Sequence, residues 1–188
     1  EMCIRDSLKA FKVDCPIVAV TGTNGKTSVT NYLSHIFASG GKKIITNPEG
    51  NNLDTGICSL LLNHCDMRGR VHADYLVLET DESHVPVVYS KLNLQTLVLL
   101  NFFRDQLDRY GEIDITSDII KRAIKKVPNL KLVLNGDDPL CVQFGREENV
   151  KAYYYGISEK VLPQLDDTKE GRFCPVCGEE QKYNYYHY

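Results

Sequence analysis

The sequence has no long apolar stretch and no excess of basic residues. None of its hydrophobic runs approaches the ~20 residues that a membrane-spanning helix needs. Its 22 lysines and arginines stand against 25 aspartates and glutamates, which gives a net charge of −3. A nucleic-acid-binding surface needs a basic stripe, and the sequence shows none. These absences argue against a membrane-spanning protein and against a nucleic-acid partner.

The chain also lacks the pattern of a secreted, disulfide-bonded protein. No charged segment, apolar segment and cleavage site follow one another at its beginning. Its seven cysteines are scattered and odd in number, so we expect mostly reduced thiols in a cytoplasmic protein. The 188 residues suffice for one domain with a core. Residues 1–12 show no clear pattern, and we expect them to lie outside that core.

A glycine-containing segment between a strand and a helix stands out. Pro16–Val20 is an apolar run typical of a buried strand, and apolar residues recur at helical spacing from Lys26 onwards. Between them lies T-G-T-N-G-K-T-S, residues 21–28, a shortened phosphate-binding loop. Its glycines allow amide N–H groups to point at an anion, and the helix start adds partial positive charge. In a loop of this kind, Lys26 can reach the β- and γ-phosphates of a nucleotide, and the Thr27 hydroxyl can ligate Mg²⁺. The alternative is an ordinary strand-to-helix turn.

Strands and helices alternate along residues 13–157. The patterns predict further strands at 43–46, 75–78, 96–100, 130–134 and 152–155, and helices at 54–65, 115–127 and 140–146. Such alternation favours an α/β fold of the P-loop type, with a mostly parallel sheet and helices on both faces.

Acidic residues follow the strand predicted at 75–78. Glu79 would stand at the carboxyl end of a parallel strand, where ligands bind in open α/β sheets. It is a candidate Mg²⁺ ligand together with Thr27, and a solvated acidic loop is an equal alternative. The polar segment 47–52 either holds substrate or simply connects two elements.

The pattern changes after Gly156. Residues 158–172 are polar, and Cys174 and Cys177 then stand in C-P-V-C-G, the knuckle of a zinc ribbon. A structural zinc site needs four ligands, so we expect a partial zinc-ribbon insertion over residues 158–188 and a further cysteine pair to complete it. Two unpaired thiols are the alternative. A redox C-x-x-C site is less favoured, because no thioredoxin-like βαβ pattern surrounds the two cysteines.

Four segments together resemble the central ATPase domain of the Mur ligase family. They are T-G-T-N-G-K-T-S, L-E-T-D-E, N-F-F-R-D-Q-L-D-R-Y-G-E-I-D and N-G-D-D-P, within residues 17–139. The cysteine knuckle after the sixth strand is similar to the one found in one branch of that family. Members of this branch form the amidating subunit of lipid II isoglutaminyl synthase and carry a four-cysteine zinc ribbon.

The resemblance implies a role for each matching residue. Six residues of the loop would cradle the ATP phosphates: Thr23, Asn24, Gly25, Lys26, Thr27 and Ser28. Two residues of N-G-D-D-P would contact the nucleoside: Asn135 and Asp138. Thr27 and Glu79 would hold Mg²⁺, and Cys174 and Cys177 would hold Zn²⁺. Lys26 and Glu79 would be the catalytic residues.

The resemblance also implies an ATP-dependent carbon–nitrogen ligase of peptidoglycan synthesis. The α-carboxylate of D-isoglutamate in lipid II would be activated as an acyl phosphate and amidated to D-isoglutamine. Ammonia would come from a GatD-like glutaminase subunit in a heterodimer, in the cytoplasm at the inner face of the membrane. Gln106 stands where many members carry a histidine, and a neutral amide is a poorer ligand for a second metal. The family's C-terminal ligase domain has no counterpart in the sequence, so we expect this chain alone to be inactive.

Three other functions fit the same loop. Another Mur-type or folylpolyglutamate-type ligase would lack the cysteine knuckle. A P-loop kinase would not need the D-Q-L-D-R-Y-G block. A domain that binds nucleotide without turnover is the non-enzymatic alternative.

Overall fold

A parallel sheet forms the centre of the fold. The computed structural model describes residues 8–47, 53–89, 92–102, 112–127, 129–147, 150–157, 173–174 and 177–180. Its strands are β1 Ile17–Thr21, β2 Ile44–Thr46, β3 Tyr75–Glu79, β4 Leu94–Leu99, β5 Lys131–Asn135 and β6 Lys151–Tyr155. They pair in the order β2-β3-β1-β4-β5-β6, and every neighbouring pair is parallel. The predicted parallel sheet is confirmed.

Helices cover both faces of this sheet, as predicted. In the described ranges they are α1 Lys26–Ser39, α2 Asp54–His64, α3 Val85–Tyr89, α4 Glu112–Lys126 and α5 Pro139–Val142. Short 3₁₀ turns span Leu8–Ala10, Glu82–His84 and Gln143–Arg146, so the helix predicted at 140–146 is α5 continued as a 3₁₀ turn. No helix in the described part of the chain is long and apolar enough to cross a membrane.

Strand β1 is buried on both of its faces. Ile17 and Ala19 pack in the larger core cluster with residues of α2 to α5, whereas Val18 and Val20 face α1. All of its residues are buried, which explains why the strand is a continuous apolar run without alternation. Burying one such aliphatic side chain contributes about 1.5–3 kcal/mol. The loop that follows β1 therefore starts from a firmly anchored strand.

The core begins before residue 13, whereas the sequence predicted that it begins at this residue. Leu8 is fully buried, and Phe11 packs against the same cluster. The Lys12 N–H donates to the Gly69 carbonyl at 2.8 Å, and Lys12 O accepts from Val71 N–H at 3.1 Å. Residues 8–12 thus belong to the fold, which corrects the expectation that residues 1–12 lie outside the core. The sequence did not indicate this, because so short a segment shows no periodicity and its partners lie far along the chain.

Asp66 organises the turn after α2. Its Oδ1 accepts the N–H groups of Arg68 at 2.8 Å and Arg70 at 3.0 Å, and its Oδ2 lies 3.1 Å from His72 Nε2. The hydrogen bond from the Arg70 N–H, followed by those from His72 and Arg68, lowers the pKa of the Asp66 carboxyl to about 2. This turn also presents the backbone that Lys12 contacts, so it ties the amino-terminal segment to the sheet.

Candidate functional site

The carboxyl ends of the parallel strands bring the predicted site residues to one edge of the sheet. Residues 22–25 follow β1, Glu79 ends β3, Asn101 follows β4 and Asn135 ends β5. Strands β3, β1, β4 and β5 are neighbours in the sheet, so segments distant in sequence meet here. This is the edge at which open α/β sheets bind ligands.

The loop after β1 requires glycine at two positions. Gly22 has a φ of +138°, and a Cβ there would lie 3.0 Å from the Asn101 nitrogen. Gly25 has a φ of +82° and immediately precedes α1. Other residues are strained at positive φ. The loop therefore turns tightly against the end of β4, and the first N–H groups of α1 have no acceptor within the helix.

Asn101 holds this loop from the β4 side. Its Oδ1 accepts the Asn24 N–H at 2.9 Å, and its Nδ2 donates to the Asn24 carbonyl at 3.1 Å. Its own carbonyl accepts the Thr23 N–H at 2.9 Å. Sequence reasoning gave Asn101 no role, because a single asparagine after a strand carries no signal of a partner so far away in the chain.

Lys26 folds back over the loop that precedes it. Its Nζ donates to the Gly22 carbonyl at 2.6 Å and to the Thr23 carbonyl at 3.3 Å. The same nitrogen lies 3.7 Å from Glu82 Oε1, and the Lys26 side chain is 15% exposed. Its ammonium group is therefore held against the turn that is predicted to receive the phosphates.

Thr27 and Glu79 meet across the site. The Thr27 Oγ1 donates to Glu79 Oε2 at 2.8 Å, and Glu79 is 5% exposed. Hydroxyl and carboxylate oxygens suit Mg²⁺, whose octahedral Mg–O distances of about 2.0–2.1 Å place adjacent ligands roughly 2.9 Å apart. The two oxygens thus fit a shared Mg²⁺ ion in both chemistry and spacing.

Asn47 fixes the backbone that carries Glu79. Its Nδ2 donates to the Glu79 carbonyl at 2.8 Å, and its Oδ1 accepts the Glu79 N–H at 2.8 Å. Both residues are buried. Of the polar segment 47–52, only Asn47 lies in the described residues, and there it acts as a structural clamp rather than a plain connection.

The acidic residues that follow Glu79 differ in their surroundings. Burial raises the pKa of the Glu82 carboxyl, and its own N–H and the Lys26 ammonium only partly offset this. Burial also works against ionisation of Asp81, but hydrogen bonds from Ser83 and His84 outweigh it and lower the pKa of Asp81. Glu79 and Glu82 are mostly shielded from solvent, which is not the solvated loop that the sequence left as an alternative.

Asn135 and Asp138 have hydrogen-bond partners within the chain. Asn135 Nδ2 donates to the Leu100 carbonyl at 2.9 Å. Asp138 caps α5 by accepting the Leu140 N–H at 2.8 Å, and its other oxygen accepts the Phe102 N–H at 2.8 Å. Both side chains brace the end of β4, and their contact with a nucleoside stays a prediction.

Backbone hydrogen bonds join the described residues of the cysteine segment. The Cys174 N–H donates to the Glu179 carbonyl at 2.8 Å, and the Gly178 N–H donates to the Cys174 carbonyl at 2.9 Å. Across the ranges that the structure describes, no three or more His, Cys, Asp or Glu side chains group as a metal site. The zinc site therefore stays a prediction, and Gln106 lies outside the described residues.

Comparison with known proteins identifies a matching family and similar proteins. The chain matches the Mur ligase middle domain over residues 20–182. It is 36% identical to the lipid II isoglutaminyl synthase (glutamine-hydrolyzing) subunit MurT of Staphylococcus aureus (strain COL), over 92% of this chain and 38% of that protein. The MurT subunit of Streptococcus pneumoniae (strain ATCC BAA-255 / R6) is 33% identical, over 96% of this chain and 40% of that protein. The chain thus spans about two fifths of the length of these relatives.

Solved structures share its architecture. The MurF ligase from Thermotoga maritima, in complex with ADP, superposes with a TM-score of 0.61 at 22% identity. The match covers 82% of this chain and 35% of that one. At this level of identity the likeness establishes the fold alone.

Proposed function

Because the chain belongs to the Mur ligase middle-domain family, we propose that its glycine loop binds ATP with Mg²⁺ as part of a carbon–nitrogen ligase. One observation carries this proposal: Thr27 Oγ1 and Glu79 Oε2 lie 2.8 Å apart, directly beside Lys26. This combination would supply two metal ligands and one cation beside the start of a helix. The ADP bound to the Thermotoga maritima MurF ligase supports the choice of nucleotide.

Each of these residues would have its own role in such a site. Thr27 and Glu79 would hold the metal ion, and Lys26 would neutralise phosphate charge. The metal ion and the ammonium group would thus act as positioned electrostatic groups. The backbone N–H groups from Gly25 to Ser28 would donate to phosphate oxygens, whereas those of Thr23 and Asn24 already donate to Asn101 and would hold the loop in shape. When bound, ATP supplies the phosphoryl group that turns a carboxylate into a good acyl donor.

We further propose lipid II as the substrate of the full-length protein. The α-carboxylate of D-isoglutamate would be activated as an acyl phosphate and amidated to D-isoglutamine, with ammonia from a GatD-like glutaminase subunit. The 33–36% identity to two MurT subunits and the cysteine knuckle support this assignment. The reaction would take place in the cytoplasm, at the inner face of the membrane.

Titration calorimetry with the ATP analogue AMPPNP tests the nucleotide site. Lys26→Ala removes a charge-assisted hydrogen-bond donor, and we expect about tenfold weaker binding or more. Glu79→Gln keeps the shape and should weaken binding in Mg²⁺ but not in its absence. Lys42→Ala, at an exposed lysine after α1, is the matched control and should bind as the wild type does. Unchanged affinity in Lys26→Ala would refute the site.

Product analysis of the full-length protein with its glutaminase partner tests the reaction. With lipid II, glutamine and ATP, mass spectrometry should find the amidated stem peptide. Ligation of an amino acid would support another Mur-type ligase, and a phosphorylated product without amide would support a kinase. Nucleotide binding with no product at all would support the non-enzymatic alternative.

We also propose that Cys174 and Cys177 hold a structural zinc ion together with a second cysteine pair. Thiolates are preferred zinc ligands, and the hydrogen bond from the Gly178 N–H to the Cys174 carbonyl supports this assignment because it joins the two ends of C-P-V-C-G. Elemental analysis of the full-length protein should find one zinc per chain, lost in Cys174→Ser/Cys177→Ser and kept in the control Cys65→Ser. Absence of zinc from the wild type, or its retention in the double variant, contradicts the assignment.

A further inference from the structure

Two neighbouring residues at the start of α1 each lie beside a carboxylate, one at the end of β3 and one just after it. Thr27 contacts Glu79, as described above, and Lys26 contacts Glu82, three residues further on. The Lys26 Nζ lies 3.7 Å from Glu82 Oε1, and the two side chains are only 15% and 16% exposed. The nucleotide site gives Glu79 a role as metal ligand but leaves Glu82 without one.

Glu82 is a costly group at this position. Its Oε1 is buried and accepts no hydrogen bond from the described residues. Burial also makes the charged carboxylate less favourable than it is in water, as the raised pKa indicates. The Lys26 ammonium is the opposite charge that compensates it. Lys26, in contrast, already donates to the carbonyls of Gly22 and Thr23 and needs no carboxylate to stay in place.

We infer that Glu82 is an internal counter-ion that occupies Lys26 in the nucleotide-free protein and that a nucleotide phosphate displaces it. The Lys26 ammonium donates hydrogen bonds to two carbonyls, and Glu82 Oε1, 3.7 Å away, is held by charge attraction without a hydrogen bond. A phosphate oxygen that approaches Lys26 therefore competes with Glu82 for the charge of one ammonium group. Glu82 carries the same sign of charge as phosphate, so it is the partner that phosphate repels. The inference rests on the proposed nucleotide site.

The competition should lower the affinity for nucleotide. Only molecules in which Lys26 is released can bind phosphate through it, so the apparent affinity falls by the fraction that is released. For an ion pair with this degree of exposure, we take the closed form to be favoured about five- to tenfold. Glu82→Gln keeps the shape and removes the charge. We therefore expect it to bind AMPPNP with Mg²⁺ about five- to tenfold more tightly than the wild type.

Asp81→Asn is the matched control. It removes one negative charge from the adjacent residue, whose carboxylate accepts hydrogen bonds from Ser83 rather than from Lys26. If only the net charge near the site mattered, both variants would tighten binding equally. The inference predicts less than about a twofold change for Asp81→Asn, because Lys26 keeps its partner.

Adenosine separates competition for phosphate from a general change in the site. It has no phosphate, so its affinity, measured by competition, should be the same in the wild type and in Glu82→Gln. If Glu82→Gln does not fold, Glu82→Asp carries the test. Its side chain is one methylene shorter, which withdraws the carboxylate from Lys26, and it should also tighten AMPPNP binding.

The outcomes separate this inference from the function on which it rests. Tighter AMPPNP binding by Glu82→Gln with unchanged adenosine binding supports the counter-ion role. AMPPNP binding that is equal to or weaker than that of the wild type overturns the role and leaves the nucleotide site standing. Equal tightening for adenosine, or for Asp81→Asn, also overturns it. A wild type that binds no AMPPNP overturns both the role and the site.

Discussion

Replacing Asn47 with alanine should destabilise the fold and disturb the metal side of the site. The Asn47 side chain makes two hydrogen bonds of 2.8 Å each with the backbone of Glu79. Both residues are 5% exposed, so water does not readily replace the lost partners. In Asn47→Ala, one buried N–H and one buried carbonyl would remain without the bonds that orient them.

The size of the effect follows from these two groups. An unsatisfied buried polar group costs about 1–3 kcal/mol. Two such groups would cost about 2–6 kcal/mol, and relaxation with water entering the space left by the side chain favours the lower part of this range. We therefore expect the free energy of unfolding to fall by about 2–4 kcal/mol. Because Glu79 carries a candidate metal ligand, binding of AMPPNP with Mg²⁺ should weaken as well.

Urea unfolding followed by circular dichroism measures this change. Asn63→Ala is the control, since Asn63 is an exposed residue of α2 and its replacement should alter stability by less than about 0.5 kcal/mol. Asn47→Asp keeps one acceptor but sets a carboxylate against the Glu79 carbonyl, so it should be at least as harmful. An Asn47→Ala variant as stable as the control would refute the clamp.

Three further predictions follow from the geometry. Gly22→Ala should destabilise by about 1–3 kcal/mol or more, because its Cβ would lie 3.0 Å from a backbone nitrogen at a φ of +138°; an unchanged melting temperature would contradict this. The pKa of Asp66 is depressed to about 2, chiefly by the Arg70 N–H, so its stabilisation is complete above the unfolded pKa of about 3.8 and is lost as the pH falls towards 2. Asp66→Asn should therefore be less stable than the wild type at pH 6, and the difference should shrink as the pH falls through about 2; a difference that stays constant with pH would exclude this linkage. Tyr89→Phe removes the 2.6 Å partner of the buried Thr80 hydroxyl and should cost about 1–2 kcal/mol. Adding Thr80→Val should then cost little more, and fully additive losses in unfolding free energy would show that the two hydroxyls are not coupled.

Properties that depend on neighbouring residues could be predicted from the sequence. The apolar run of β1, the two glycines of the loop and the start of α1 at Lys26 all follow from local backbone preferences and side-chain periodicity. The other strands were placed to within about two residues, which is the usual uncertainty of element ends. The parallel sheet followed from the alternation of strands and helices.

The strand order and the partners of the site residues required the tertiary structure. Asn101 lies 77 residues from Asn24, and Asn47 lies 32 residues from Glu79, yet each pair is joined by two hydrogen bonds. A single asparagine fits many loops equally well, so its residue type does not identify its partner.

The burial of each acidic side chain and the partner of its charge also required the tertiary structure. The sequence T-D-E-S places two carboxylates and two hydroxyl groups after Glu79, but it does not show which of them turns inward. The sequence by itself predicted a phosphate-type loop and an acidic residue at the carboxyl end of a later strand. Only the tertiary structure decided that Glu79 meets Thr27 while Glu82 meets Lys26. The physical reason is that strand order sets which loops are neighbours, and burial then makes each charge depend on the partner it finds there.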